Sequence, residues 1–260
     1  MKTTALITGA SRGIGAEFAK IFAENGTDLV LTARSEQDLL DLKQEIESKY
    51  SVSVKTIVRD LSNSIEVQSL FDEIKTSGIT INYLINNAGF GDYAYFENSK
   101  WKRHESMINL NVNALTHLCH LFITEWGDKD KGKILNVSST ASFQPGPGMS
   151  VYYASKAFVT SFSQALHYEV KKKGITVTAL CPGPTESNFA TAARVNASNK
   201  LLKDRKLPSS HKVARYGYKS MMQGKPLVIE GTANRFLAFL VRFVPRNLMT
   251  FISAKVLEWK

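Results

Sequence analysis

A chain of 260 residues, 43% hydrophobic and 22% charged, is long enough for one α/β domain with a single core, and it carries no low-complexity tract or repeat period. Its formal charge of +10 suits nucleic acid, an anionic membrane or a polyanionic small molecule, but the longest basic run, Lys171-Lys172-Lys173, follows a helical stretch where cations answer the helix dipole; no nucleic-acid role is expected. Two cysteines, Cys119 and Cys181, exclude a disulfide framework and supply too few ligands for a metal cluster, which fits a reducing cytoplasm.

Met1 and Lys2 lead directly into an apolar run, leaving no room for the charged and apolar regions of a signal peptide; a cytoplasmic location is expected. Short apolar runs bounded by turn residues predict strands at Ala5–Ile7, Leu29–Thr32, Val52–Val58, Tyr83–Ile85, Ile134–Val137, Ile175–Leu180 and Leu227–Ile229. Between them, Ala16–Glu24, Ser35–Ser48, Ser64–Thr76, Lys100–Trp126 and Tyr152–Lys173 have helical character, each long enough to cross over a parallel sheet. The alternation predicts one α/β domain over residues 1–260: a doubly wound, seven-stranded parallel sheet with helices on both faces.

After Pro182 the rhythm breaks. Residues 183–225 are polar and basic, and the stretch at about 186–225 is expected to form a flexible substrate-binding loop region. A helical extension is expected over about 231–260, with an apolar run of nine residues, Phe236–Val244, that is too short to span a bilayer. Phe236, Phe239, Leu240 and Phe243 recur at helical spacing beside Arg235, Arg242 and Arg246. That stripe suits a lid, a subunit contact or an interfacial helix on anionic lipid, and packing on the body is the favoured expectation.

Leu6-Ile7-Thr8-Gly9-Ala10-Ser11-Arg12-Gly13-Ile14-Gly15 places three glycines between the first strand and the first helix. There the backbone can approach closely and the helix amino end suits a pyrophosphate. Together with Asn86-Asn87-Ala88-Gly89, Ser139, Tyr152-x-x-x-Lys156 and Pro182-Gly183, this turn resembles the ordered motif series of the short-chain dehydrogenase/reductase family. The resemblance is close from Thr3 to Thr185 and loose beyond. It implies a Rossmann-type fold, a nicotinamide cofactor and hydride transfer to or from a carbon-bound oxygen.

Tyr152 and Lys156, four apart at the start of a helix, rise from one face. A free phenol titrates near 10, and a neighbouring ammonium favours phenolate, so Tyr152 is the expected general acid in reduction and base in oxidation. Ser139, by the family's spacing, would hydrogen-bond the substrate oxygen, with Ser138 as a rival read as satisfying backbone. Asn111 matches the family asparagine that supports a water relay to the lysine, although Asn109 and Asn113 flank it. Cofactor contacts implied by the resemblance are Gly9, Ser11, Arg12, Gly13, Ile14 and Gly15 in the turn, Asp60 and Leu61, Asn87, Ala88 and Gly89, Tyr152 and Lys156, and Pro182, Gly183 and Thr185. Asn86 and Asn87 also have a structural reading, as side chains tying neighbouring strands together.

After the second strand stands Ala33-Arg34, where an acid would bind ribose hydroxyls and a cation accommodates a 2′-phosphate. With Arg12 it forms an expected clamp, so NADP(H) is preferred over NAD(H). Cys181 is read as a buried strand-end residue. His117 and His120 are the one near pair of histidines, with no carboxylate at ligand spacing, and no metal is expected.

The expected reaction is NADP(H)-dependent interconversion of a carbonyl and a secondary alcohol on an apolar small-molecule substrate, a lipophilic ketone or fatty-acyl-type carbonyl. The alternative, an NADP(H)-binding sensor without turnover, would require a broken catalytic set. A homodimer or homotetramer is expected through the long helices.

Overall fold

The computed structural model describes residues 2–126, 132–187, 189–194 and 207–257. Seven parallel strands form one sheet: β1 Thr4–Thr8, β2 Asp28–Ala33, β3 Val54–Val58, β4 Tyr83–Asn86, β5 Lys133–Val137, β6 Thr176–Cys181 and β7 Leu227–Ile229, in the order β3-β2-β1-β4-β5-β6-β7. Their apolar runs follow from burial on both faces. Within β1, Ala5 and Ile7 face one core and Leu6 the other. The chain reverses its direction of winding at β1, which pairs with both β2 and β4. The carboxyl ends of these strands are therefore where a ligand crevice opens.

One face is covered by α1 Gly13–Glu24 and α2 Glu36–Lys49, whose Phe18, Phe22, Leu39 and Ile46 are buried. The other is covered by α3 Ser64–Thr76, the helices α4 Trp101–Ile108 and α5 Leu115–Trp126, and α6 Ser150–Val170; Leu70, Leu118, Phe122 and Val159 anchor that core. The stretch predicted as one helix over 100–126 is continuous but not uniformly α: Asn109–Ala114 forms a π-helical turn between α4 and α5. Such turns cluster at functional sites, and Asn111 lies inside this one. The lysine triplet ends α6 in a 3-10 turn closed by Gly174 in the left-handed conformation.

Of the expected loop region at about 186–225, residue 188 and residues 195–206 lie outside the described residues, and the remainder corrects the sequence reading. Beyond the short α7 Phe189–Ala192, a full crossover helix, α8 Ser210–Met222, packs against α1 and completes the first face. Its start is marked by Ser209, which accepts from the Lys212 amide at 3.3 Å. Its inward stripe of Val213, Ala214, Gly217, Ser220 and Met221 is built of mostly small residues, so the apolar period is faint beside Lys212, Arg215 and Lys219. Gly217 permits the close approach: a Cβ there would stand 2.7 Å from Leu180 and 2.9 Å from Phe18.

The helical extension is present as α9 Thr232–Leu240 and α10 Arg246–Val256. Its expected packing on the body is not what the structure shows. Ala238 is the buried residue of α9 and Ser253 that of α10, while Phe236, Phe239 and Phe243 are 62%, 55% and 71% exposed. Among the described residues, no helix is long and apolar enough to cross a membrane.

Candidate active site

The glycine turn leaves β1 and opens α1. Gly9 and Gly15 are enforced by proximity: a Cβ on Gly15 would lie 2.2 Å from the Gly9 carbonyl oxygen, and one on Gly9, at φ +63°, 2.9 Å from the Ala88 Cα. The first turn of α1 has no side-chain cap at Arg12 and no acidic residue. Its amide donors and the positive end of its dipole thus remain available to an anion, which fits a pyrophosphate over Ser11, Gly13 and Ile14.

Asn87 holds this turn to β4. Its Nδ2 donates to the Thr8 and Gly9 carbonyls at 3.0 Å each, and the Thr8 hydroxyl accepts from the Asn87 and Ala88 amides. Asn86 donates to Asn136 at 2.9 Å, joining β4 to β5. Both asparagines therefore tie strands together. Asp60 accepts from the Ser62 amide and hydroxyl at 3.0 and 2.8 Å, shaping its own turn, and the Leu61 side chain is buried.

At the end of β2, Arg34 is exposed and has no carboxylate partner among the described residues. Arg12 differs: its guanidinium is already forked onto Asp38, at 2.9 Å and 3.1 Å. The expected two-arginine clamp is thus half engaged elsewhere, although exposed pairs of this kind hold loosely against water.

The catalytic candidates converge beyond the ends of β4 and β5. Tyr152 and Lys156 share one face of α6, with Lys156 Nζ 5.9 Å from the Tyr152 ring centre. Lys156 is buried and donates to the Val137 carbonyl at 2.9 Å. Burial lowers its ammonium to about 8. The Tyr152 phenol is hydrogen-bonded with the Ser139 hydroxyl, which also accepts from the Ala141 amide at 3.1 Å. The expected lowering of the phenol by Lys156 is reversed in the protein alone: burial pushes Tyr152 well above its ordinary value, and the Ser139 bond offsets only part of this. The resting phenol is therefore protonated, the form that donates to a carbonyl oxygen.

Ser138 donates to the Lys156 carbonyl at 2.9 Å and pairs with Thr160 at 2.7 Å, satisfying the interior as its sequence position suggests. Asn111 sits in the π-helical turn, donating to the Phe90 carbonyl at 3.0 Å and Ser155 at 3.1 Å. Its Oδ1 and Lys156 Nζ flank one point: a Cβ on Gly89 would lie 3.0 Å from the first and 3.3 Å from the second. Asn109 and Asn113 bond one another instead, at 2.9 Å. Pro182 accepts from the Thr140 amide at 2.8 Å, which binds the Pro182-Gly183 turn to the serine segment, and Thr185 donates to the Gly183 carbonyl at 2.9 Å. Cys181 is fully buried and its thiol is raised by burial, as expected of a structural residue.

Sequence reasoning missed a latch beside this site. Phe189 of α7 stands 5.2 Å from the Tyr152 ring, and Phe189, Met149 and Tyr152 meet over Gly91. The neighbouring Asp92, with its side chain 2% exposed, accepts from Ser99 at 2.6 Å, Arg103 at 2.6 Å and Arg194 at 2.7 to 2.9 Å. Arg103 also donates to the Ala192 carbonyl at 2.6 Å, and the Tyr93 amide to that of Ala193 at 2.8 Å. These bonds hold α7 down on the tyrosine. Nothing local in the sequence marks Asp92, whose arginine partners lie 11 and 102 positions away. Among the described residues, no group of three His, Cys, Asp or Glu is placed to hold a metal.

Residues 3–198 match the family model described as short chain dehydrogenase. Very-long-chain 3-oxoacyl-CoA reductase of Anas platyrhynchos is 34% identical over 220 residues, covering 82% of this chain and 67% of that protein. Hydroxysteroid dehydrogenase-like protein 1 of Gallus gallus is 33% identical over 220 residues, covering 84% and 65%. The chain spans 58% of the length of the Rattus norvegicus very-long-chain 3-oxoacyl-CoA reductase, at 37% identity over 185 residues and 68% of this chain. Among solved structures, a short-chain dehydrogenase from Sphingobium yanoikuyae in complex with NADPH superposes with a TM-score of 0.82 at 30% identity, over 95% of each chain. The bulky-bulky ketone specific alcohol dehydrogenase of Comamonas testosteroni gives 0.79 at 27% identity, over 93% of this chain and 92% of that one. Two curated relatives above 30% identity, and a family match running from the first strand past α7, lead to one conclusion: the chain belongs to the short-chain dehydrogenase/reductase family of oxidoreductases.

Proposed function

We propose that the protein is an NADP(H)-dependent reductase of bulky apolar carbonyl compounds, with long-chain 3-oxoacyl thioesters and large ketones as the substrate classes of first choice. The observation that carries the reading is the convergence of Ser139, protonated Tyr152, Lys156 and Asn111 at the carboxyl ends of β4 and β5.

When bound, a reduced nicotinamide supplies the hydride. The glycine turn and Pro182-Gly183-Pro184-Thr185 would hold it, and Arg34, with Arg12 once released from Asp38, would receive a 2′-phosphate. On the protein's side, the Ser139 hydroxyl orients the substrate oxygen and the Tyr152 phenol gives that oxygen its proton. Lys156 places a positive charge beside the phenolate that results, and Asn111 holds the backbone at Phe90 that frames the lysine. Phe189 and Met149 keep the phenol in a dry, apolar setting.

A cavity of about 780 Å3 between the segment after Ser139 and the α9–α10 extension is walled by Phe143, Pro145, Tyr153, Val241, Val244 and Met249 together with Gln144, Arg242 and Arg246; it includes none of the four catalytic candidates, and the apolar part of its wall lends the bulky-substrate reading limited support. Further support comes from the relatives named as very-long-chain 3-oxoacyl-CoA reductases and the neighbour solved with NADPH. The test is a turnover panel of 3-oxoacyl thioesters of rising chain length, bulky ketones and small polar ketoses, with NADPH and NADH compared. Turnover that rises with apolar size and favours NADPH is expected. A preference for small polar sugars, or for NADH, would overturn the corresponding half of the proposal.

A further inference from the structure

The geometry points to the α9–α10 extension as a docking surface for an anionic lipid bilayer. Its two helices are two-faced in register with their exposure. In α10 and the residue that caps it, Met249, Ser253 and Leu257 turn to the body, while Leu248, Phe251, Ile252 and Val256 are exposed at 50%, 56%, 39% and 43%. In α9 and the turn after it, Ala238 is buried while Phe236, Leu237, Phe239, Leu240 and Phe243 are exposed. A stripe at positions i, i+3, i+4 and i+7 that faces water instead of the core is left for something else to cover.

The extension is not a loose tail. Leu257 is 1% exposed and its carbonyl accepts from the Tyr93 hydroxyl at 2.6 Å, and Asn234 donates to the Glu230 carbonyl at 2.8 Å. Both ends are therefore fixed, and the aromatic side chains are presented outward by anchored helices. Phe239 and Phe243 pack edge to face at 5.1 Å, and Lys255 lies 4.5 Å over the Phe251 ring.

Charge chooses the occupant. Between Gly231 and Leu257 stand Arg235, Arg242, Arg246 and Lys255, and no aspartate or glutamate. Pairing this face with a second copy would set like charges opposite one another. A negatively charged bilayer surface answers both the cations and the aromatic stripe, with the rings at acyl depth and the guanidiniums among the headgroups. The helices are too short to cross, so they would lie in the interface plane.

The test uses the full chain with phosphatidylcholine vesicles, with and without phosphatidylserine, in a flotation assay at low and high salt. Two variants accompany it: Phe236→Ser/Phe239→Ser/Phe243→Ser, and Arg235→Glu/Lys255→Glu, none of which alters the catalytic cluster or the cavity wall. The expected result is binding to the anionic vesicles only, weakened severalfold by salt and at least tenfold by each variant, with unchanged circular dichroism and unchanged size by light scattering. If the phenylalanine variant loses its fold, the charge variant decides. Absence of wild-type binding, equal binding to neutral vesicles, or unweakened binding by the folded variants would overturn the proposal. So would a wild-type oligomer that the phenylalanine variant breaks into monomers, since the face would then be a subunit contact.

Discussion

Asp92→Asn removes the charge on which the latch over Tyr152 is built while keeping its shape. Asp92 is 2% exposed, but its partners Arg103 and Arg194 are 33% and 53% exposed and can turn to water once released. Orphaning a wholly buried charge costs about 3–5 kcal/mol; with both cations able to rehydrate, about 2 kcal/mol is the expected loss here. Because the bonds join α7 to the segment after β4, the loss falls on local opening before global unfolding. The assay is hydrogen exchange at the Tyr93 amide, which donates to the Ala193 carbonyl. A loss of about 2 kcal/mol speeds its exchange roughly 30-fold, and KM should rise as Phe189 leaves the phenol. The pH dependence has the same origin. Burial pushes the Asp92 carboxyl up, but hydrogen bonds from Ser99, Arg103 and Arg194 carry it below its ordinary value. Its stabilisation is thus fully present above the ordinary aspartate range near 4, and is lost as pH falls through its lower folded value. Unchanged exchange and unchanged KM in Asp92→Asn would refute the latch.

Arg34→Glu should raise KM for NADPH by about ten- to a hundredfold, the worth of a charge-assisted bond, and leave NADH less affected. Steady-state kinetics with both cofactors check it; equal effects on the two would remove Arg34 from phosphate recognition. Asp38→Asn frees Arg12 and should lower KM for NADPH, and no change would show that the pair does not compete. Since burial lowers Lys156 to about 8, its charge is present below that pH and lost above it. Reductive kcat/KM should therefore fall as pH climbs through about 8, and a profile flat to pH 10 would contradict this. Gly217→Val pushes new methyls into Leu180 and Phe18, both 0% exposed and unable to yield. A loss of about 1–3 kcal/mol, read as a lower Tm, is expected, and an unchanged Tm would show that α8 can slide.

What the sequence made legible follows its physics. All seven strands stand where apolar runs meet turn residues, because a parallel sheet buried on both faces leaves an uninterrupted signal. Boundaries moved by a residue or two, as with Val52–Val58, which begins as a strand at Val54. Helix period puts Tyr152 and Lys156 on one face, whereas the place of Ser139 beside them is implied by the family resemblance and not by local spacing. Three features depended on distant partners and stayed hidden. The α8 stripe of small residues lacks a strong apolar period, the π-helical turn at Asn111 leaves no local mark, and Asp92 finds Arg194 from 102 positions away. The phenol titration went the other way from expectation because spacing reports neighbours and not burial. The aromatic stripe of α9 is helical as its spacing predicts, but which side it faces is decided by how the extension docks.

The most direct test of the central assignment is NADPH-dependent carbonyl reduction by Tyr152→Phe, with NADPH binding measured on the same preparation. If Tyr152 donates the proton, turnover falls by about 100-fold or more while NADPH affinity stays near that of the wild type. Turnover retained in this variant would contradict the account, because the phenol would then not be the group that protonates the substrate oxygen.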